Sequence, residues 1–284
     1  MSRPRKTKKA SRDFERSMLP QTRRAVFFDV VKLQWRKLLL LAVVLLISAL
    51  PLLLIAIYED TYILTAYEDA GISEKSIPML IAPLHILCAV LSAPCLMLFF
   101  LGLSGVIRVV RQLAWEENVM VFPDFMVGFR QNWKQFLPLG LLFGLCYALA
   151  KTGWHSALAT QASSGWIPGI GLGLLIFLVA PLIACCAVVF AVYNNSFWGN
   201  LKLAAFVYLK NPLKTVGSML LAFGPGVAVW VIPHLYLHLI GFIPAMMVFT
   251  LGLLGWVLFL FDQLDKHYNA QQYPELVGKG VNGT

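Results

Sequence analysis

Apolar residues in this chain come in long charge-free blocks, not in the alternating or one-sided patterns of a soluble fold. Between Lys37 and Glu59 there are 21 residues without a charge, and between Lys75 and Arg108 there are 32. Three more blocks follow: 16 residues between Lys134 and Lys151, 50 between Lys151 and Lys202, and 47 between Lys214 and Asp262. A bilayer core roughly 30 Å thick is crossed by about 20 apolar helical residues. The 50-residue block opens with a polar stretch, 155–165, so only 166–193 is apolar enough to span. The 47-residue block is too long for one straight helix in a bilayer and reads as a hairpin turning between Pro233 and Pro244.

The blocks predict an all-α, polytopic transmembrane bundle of six spans: 38–58, 77–107, 133–154, 166–193, 216–233 and 239–261. A basic segment, 1–37, precedes the membrane domain, 38–262, and a short tail, 263–284, follows it. The basic segment lacks an apolar stretch with a small-residue cleavage site, so the first block is expected to stay in the membrane as a signal anchor.

Charge fixes an orientation. Segment 1–37 carries twelve Lys or Arg, and 108–134 carries four. Lys202, Lys210 and Lys214 add three, Lys266 and Lys279 two, which places 21 of 23 basic residues on one side of a six-span path. Loops rich in Lys and Arg stay in the cytoplasm, so both termini are expected there, in a plasma membrane. The net charge of +9 then needs no nucleic acid. Arg3, Arg5, Lys6, Lys8 and Lys9 face an anionic inner leaflet, each contributing about 1 kcal/mol near its surface. On the other side, 59–76 holds Glu59, Asp60, Glu68, Asp69 and Glu74 against Lys75 and reads as a solvated acidic loop. Lys151, near the end of the short third span, is expected to snorkel outward.

Segment 111–136 carries the most local character. Asp124 follows Pro123 and can cap a helix starting at Phe125. At about 100° per residue, Phe125, Phe129, Trp133 and Phe136 fall within an arc of about 80°, with Arg130 and Lys134 roughly opposite. That pattern predicts an amphipathic interfacial helix feeding the third span. Asn132 lies inside the aromatic stripe and should find a hydrogen-bond partner on another helix, since an unsatisfied buried amide costs about 1–3 kcal/mol.

Residues 102–135, GLSGVIRVVRQLAWEENVMVFPDFMVGFRQNWKQ, resemble the YesL family of bacterial membrane proteins. In that family a small residue and an Arg, here Arg108, close a span, a short acidic linker follows, and a D-F-x-x-x-F-[KR]-x-N-[WF]-K-Q element begins the next. Asp124, Phe125, Phe129, Arg130, Asn132, Trp133, Lys134 and Gln135 match it. The family has no established activity. Its members occur largely in Gram-positive bacteria, often encoded near carbohydrate uptake and degradation systems, so the resemblance implies a plasma membrane and a link to sugar metabolism.

Prolines 51, 94, 181 and 225 fall within spans. Each removes an i→i−4 hydrogen bond, and the freed carbonyl must be satisfied inside the bundle. Gly224-Pro225-Gly226 is the strongest candidate for a broken helix. Trp35-Arg36 ahead of span one is similar to Trp133-Lys134 ahead of span three, at an offset of 98, whereas the prolines suggest a period near 87. The two registers disagree, which favours three hairpins, each led by a basic interfacial helix, over a single duplication.

Chemistry is sparse. Cys88, Cys95, Cys146, Cys185 and Cys186 all lie in apolar runs and read as packing residues. No phosphate-binding loop, H-E-x-x-H or G-x-S-x-G pattern occurs, no metal or cofactor is implied, and no charge is expected near the middle of a span, which weighs against ion coupling. His234 and His238 are spaced i,i+4, yet no third ligand accompanies them. With His85 and His155 they read as ordinary interfacial histidines of the outer side. The expected function is therefore non-enzymatic: an accessory or regulatory membrane component, assembling with other membrane proteins and linked to carbohydrate uptake. The alternative is a channel or transporter for a neutral or amphiphilic solute, with Asn194, Asn195 and Asn132 as polar groups lining a cavity.

Overall fold

The computed structural model describes residues 20–69, 77–115, 117–160, 166–231 and 234–281. They form helices α1 (Arg23–Asp69), α2 (Ile77–Ala114), α3 (Val121–Thr160), α4 (Trp166–Leu174), α5 (Ala180–Val192), α6 (Phe197–Lys210), α7 (Pro212–Val231), α8 (Leu235–Leu264) and a short α9 (Ala270–Gln272), with no strand among the described residues. Six helical segments are long and apolar enough to cross a membrane: Arg23–Thr65, Ile81–Ala114, Val121–Ala157, Ile167–Val192, Pro212–Val229 and Leu235–Gln272. The chain is thus an all-α, multi-pass membrane protein, and each predicted span has its helix. The turn of the last hairpin lies at the start of its predicted interval: His234 is extended at the head of α8, whereas Pro244 lies inside that helix.

Close backbone approach holds α2 and α3 together. A Cβ on Gly144 of α3 would come within 2.7 Å of the Ala93 carbonyl oxygen of α2, and one on Gly140 within 2.7 Å of the Phe100 Cβ. Small residues let membrane helices pack where burial from water gives no drive. Around this pair the core joins Leu38, Leu41 and Leu45 of α1, Ile107 of α2, Phe136 and Leu139 of α3, Cys185 and Cys186 of α5, and Leu254 and Val257 of α8. The two α5 cysteines are buried, unbridged packing residues, as expected. Trp256 of α8 donates from Nε1 to the Ala184 carbonyl of α5 at 3.0 Å, tying the two central helices.

The prolines behave unevenly. Leu175–Val179 is a π-turn between α4 and α5, just ahead of Pro181. Pro181 cannot donate to the carbonyl of Phe177, four residues back, and the Tyr208 hydroxyl of α6 donates to that carbonyl instead. The predicted satisfaction of a freed carbonyl is realised there by a side chain from a neighbouring helix. Pro225, in contrast, lies inside an unbroken α7, so the expected break at Gly224-Pro225-Gly226 is absent. The break in φ/ψ falls at Gln34 of α1 (φ −117°, ψ 16°), where the basic leading segment meets the span. α6, opened by Ser196 accepting from the Gly199 amide at 3.2 Å, is a separate basic helix ahead of α7.

One further expectation is corrected. The interfacial helix ahead of span three begins at Val121, not Phe125, and runs unbroken into the span. Asp124 lies in its first turn and reaches back to accept from the Met120 amide at 2.8 Å, so the carboxylate caps from inside the helix. The tail after α8 is ordered against the core. Asp265–Asn269 forms a π-turn, and residues to Val281 fold back on the bundle. The run Arg3 to Lys9 lies outside the described residues, as do Glu74 and Lys75.

Candidate functional site

The sequence-singled residues gather at the basic end of the bundle. Arg108 of α2 donates to the Gln131 side chain of α3, with its stem against Gly128. Asn132 donates to the Ser104 carbonyl of α2 at 3.5 Å, the interhelical bond its position in the stripe predicts. Phe125 stacks with Phe129, ring centroids 6.3 Å apart, and Phe136 is buried. Trp133 is 40% exposed, with Lys134 over its ring at 5.8 Å. Arg36 sits over Trp35 in the same way at 5.6 Å. Segment 102–135 is thus the joint of the α2–α3 hairpin, where Arg108 and Asn132 bond across the two helices and Asp124 caps α3. Asn194 and Asn195 lie in the connection between α5 and α6, at this same end, with Asn194 exposed. The buried amide nearby is Asn200, donating to the Tyr193 carbonyl at 3.1 Å.

The opposite end holds the buried ionisable groups. Glu59, near the far end of α1, is only 8% exposed. One of its oxygens meets Nδ1 of His85 on α2, and the other accepts from Nζ of Lys151 on α3 at 2.7 Å. His155, one turn beyond Lys151, stacks on His85 with ring centroids 3.7 Å apart. The next residue, Asp60, points elsewhere because adjacent helical side chains diverge by about 100°. Its Oδ2 lies 2.5 Å from Nδ1 of His238 on α8, a histidine only 3% exposed. Consecutive carboxylates on α1 therefore bind three other helices.

This arrangement overturns several expectations. Glu59 and Asp60 belong to a helix and are enclosed, not part of a solvated loop. Lys151 turns inward to a carboxylate instead of snorkelling to water, because Glu59 lies at its own depth. His85 and His238 are buried against carboxylates, and His234 is left apart at the exposed head of α8. A signal for the cluster was present: a lysine inside a short apolar span needs an opposite charge at the same level, and Glu59 directly follows the first span. Among the described residues no group of three or more His, Cys, Asp or Glu is placed to hold a metal ion.

A second polar assembly closes the basic end. Arg23 at the head of α1 pairs with Asp265 at 2.7 Å and donates to the Lys279 carbonyl at 2.6 Å. Lys279 in turn reaches Glu117 at 3.0 Å and lies 3.9 Å over the Trp115 ring. Arg111 covers the same indole at 4.7 Å and donates to the Ala191 carbonyl. Gly280 (φ +82°) lies where a Cβ would strike the Ala114 carbonyl, so the returning segment crosses the end of α2 at backbone distance. Beneath it the Tyr193 hydroxyl bonds Asn269, and burial pushes that hydroxyl above its ordinary pKa.

Comparison with known protein families, with curated proteins and with solved structures finds no match to this chain.

Proposed function

We propose that this multi-pass chain is a non-enzymatic accessory or regulatory component of a bacterial plasma membrane, with both termini in the cytoplasm, acting beside another membrane protein. The observation that carries this reading is the pairing of enclosed ionisable groups between helices. Glu59 is held by His85 and Lys151, Asp60 by His238, and Arg23 by Asp265. Such clamps fix helix positions at both ends and suit a frame that presents its flanks to partners. The resemblance of 102–135 to YesL-like proteins supports a place beside carbohydrate uptake. Purification in mild detergent tests it. A membrane partner should co-migrate at fixed stoichiometry, and sugar uptake should fall when this chain is deleted. A chain that always migrates alone, with uptake unchanged by its deletion, refutes the reading.

A second reading, a solute transporter, draws on the same cluster. Ionisable residues inside membrane bundles recur along substrate and proton pathways, and Glu59 with His85, His155 and Lys151 is such a group. Proteoliposome flux of a neutral solute that Glu59→Gln abolishes, while the variant stays folded, would favour this reading over the first.

A further inference from the structure

A groove of 380 Å³ opens on the flank of the bundle between α1, α7 and α8. This is within the size range of small-molecule sites, about 300–1,000 Å³. Its floor is made by small residues, Gly252 and Gly255 of α8 and Ala222 and Ser218 of α7; Phe27, Trp256 and Phe259 form walls. Leu221 at its edge is 81% exposed, so the groove faces outward, toward the bilayer that these helices cross.

Positive charge flanks its basic end from two sides. On α7, Lys214 precedes Ser218 by four residues and Leu221 by seven, which places all three on one helical face. Its Nζ lies 5.9 Å from the Phe259 ring centroid. On α1, Arg24 precedes the wall residue Phe27 by three positions, one turn nearer the basic end. Both side chains are exposed, and neither forms an ion pair among the described residues. The nearby carboxylate Asp262 is engaged by Lys266 at 2.7 Å.

We infer that this groove is a binding site for an anionic phospholipid, one acyl chain lying along Gly252, Gly255 and Ala222 and the headgroup phosphate held between Arg24 and Lys214. An apolar slot ending in two unpaired cations matches that amphiphile in both halves. A transmembrane helix from a partner would fill the slot but leave both cations without a counter-charge. The site is independent of whether the chain acts as an accessory protein or a transporter.

Gly255 supplies a clean test. A Cβ there meets only the edge of Phe27 at 3.7 Å, so a larger side chain enters the groove without striking backbone. The purified protein is titrated with phosphatidylglycerol or phosphatidylcholine in detergent and read by native mass spectrometry. Wild type should retain one phosphatidylglycerol in preference to phosphatidylcholine. Gly255→Leu should lose that retention with its thermal unfolding unchanged, and Arg24→Gln with Lys214→Gln should weaken phosphatidylglycerol at least about tenfold while leaving phosphatidylcholine unaltered. Equal retention of the two lipids by wild type, or undiminished phosphatidylglycerol on Gly255→Leu, overturns the inference. So does a Gly255→Leu variant that changes only the oligomeric mass, since the groove would then be an interface between copies. Should Gly255→Leu fail to fold, phosphatidylglycerol with a photoactivatable acyl chain decides on wild type. Label confined to Phe27, Leu251 and Phe259 supports the site, and label spread evenly over the apolar surface refutes it.

Discussion

Lys151 on α3 and Glu59 on α1 meet at 2.7 Å although 92 positions separate them in sequence. Both are largely enclosed, with side chains 19% and 10% exposed. Removing Lys151 takes the cation from one Glu59 oxygen and leaves His85 at the other; breaking such a buried pair costs about 3 kcal/mol. Lys151→Met should therefore lower the unfolding temperature of the solubilised protein, and Lys151→Met with Glu59→Gln should recover much of the loss. A double variant as unstable as the two single losses added together would mean the pair is not coupled.

Tyr208 and Phe177 give a second cycle. Tyr208→Phe removes the donor that satisfies the carbonyl beneath Pro181 and should cost about 1 kcal/mol. Pro181→Ala restores an N–H able to reach that carbonyl, so Tyr208→Phe should cost clearly less when combined with Pro181→Ala. An equal cost with and without the proline would show that the hydroxyl is not answering it.

The α2–α3 contact predicts a contrast between two glycines of one helix. Gly144→Leu drives a side chain into the backbone of Ala93 and should abolish recovery of folded protein. Gly153→Leu should be tolerated, because nothing lies within 4 Å of its Cβ position. Monodispersity in size-exclusion chromatography reads both.

At the basic end, Arg23→Ala removes a charge-assisted pair and a hydrogen bond to the returning segment. At about 1.5–3 kcal/mol for such bonds, opening should rise roughly tenfold or more. Chymotrypsin cleavage after Tyr268 should accelerate in proportion, with cutting elsewhere unchanged. Cleavage at the wild-type rate would show that other contacts hold the segment.

Orientation is open to a direct measurement. In a cysteine-free background, Thr22→Cys should be labelled by a membrane-impermeant maleimide only after cells are opened, and His234→Cys in intact cells. The reverse pattern would invert the topology expected from the distribution of Lys and Arg.

Much of the fold is legible in the sequence because the bilayer imposes a coarse rule. Five charge-free blocks, the last too long for one crossing, locate the six helices, and the amphipathic phase of 125–136 foretells that Asn132 finds a partner on a neighbouring helix. Helix starts are less legible. Asp124 satisfies the expectations of a cap, but a cap four residues earlier uses the same carboxylate. The far-end cluster is legible only in its Lys151–Glu59 core, for a different reason. Glu59, Asp60, His85, Lys151 and His238 each have an ordinary surface reading alone, and only the depth at which four helices bring them together makes them one site. The spacing of His234 and His238 drew attention to each other, whereas the partner of His238 lies 178 positions away on α1.

The bond between Arg23 and Asp265 also sets an order of events. The two residues are 242 positions apart, so α1 enters the membrane long before its counterion is synthesised. Arg23 therefore lacks Asp265 until all six spanning helices have been made, so this link between the head of α1 and the segment after α8 can close only late in assembly.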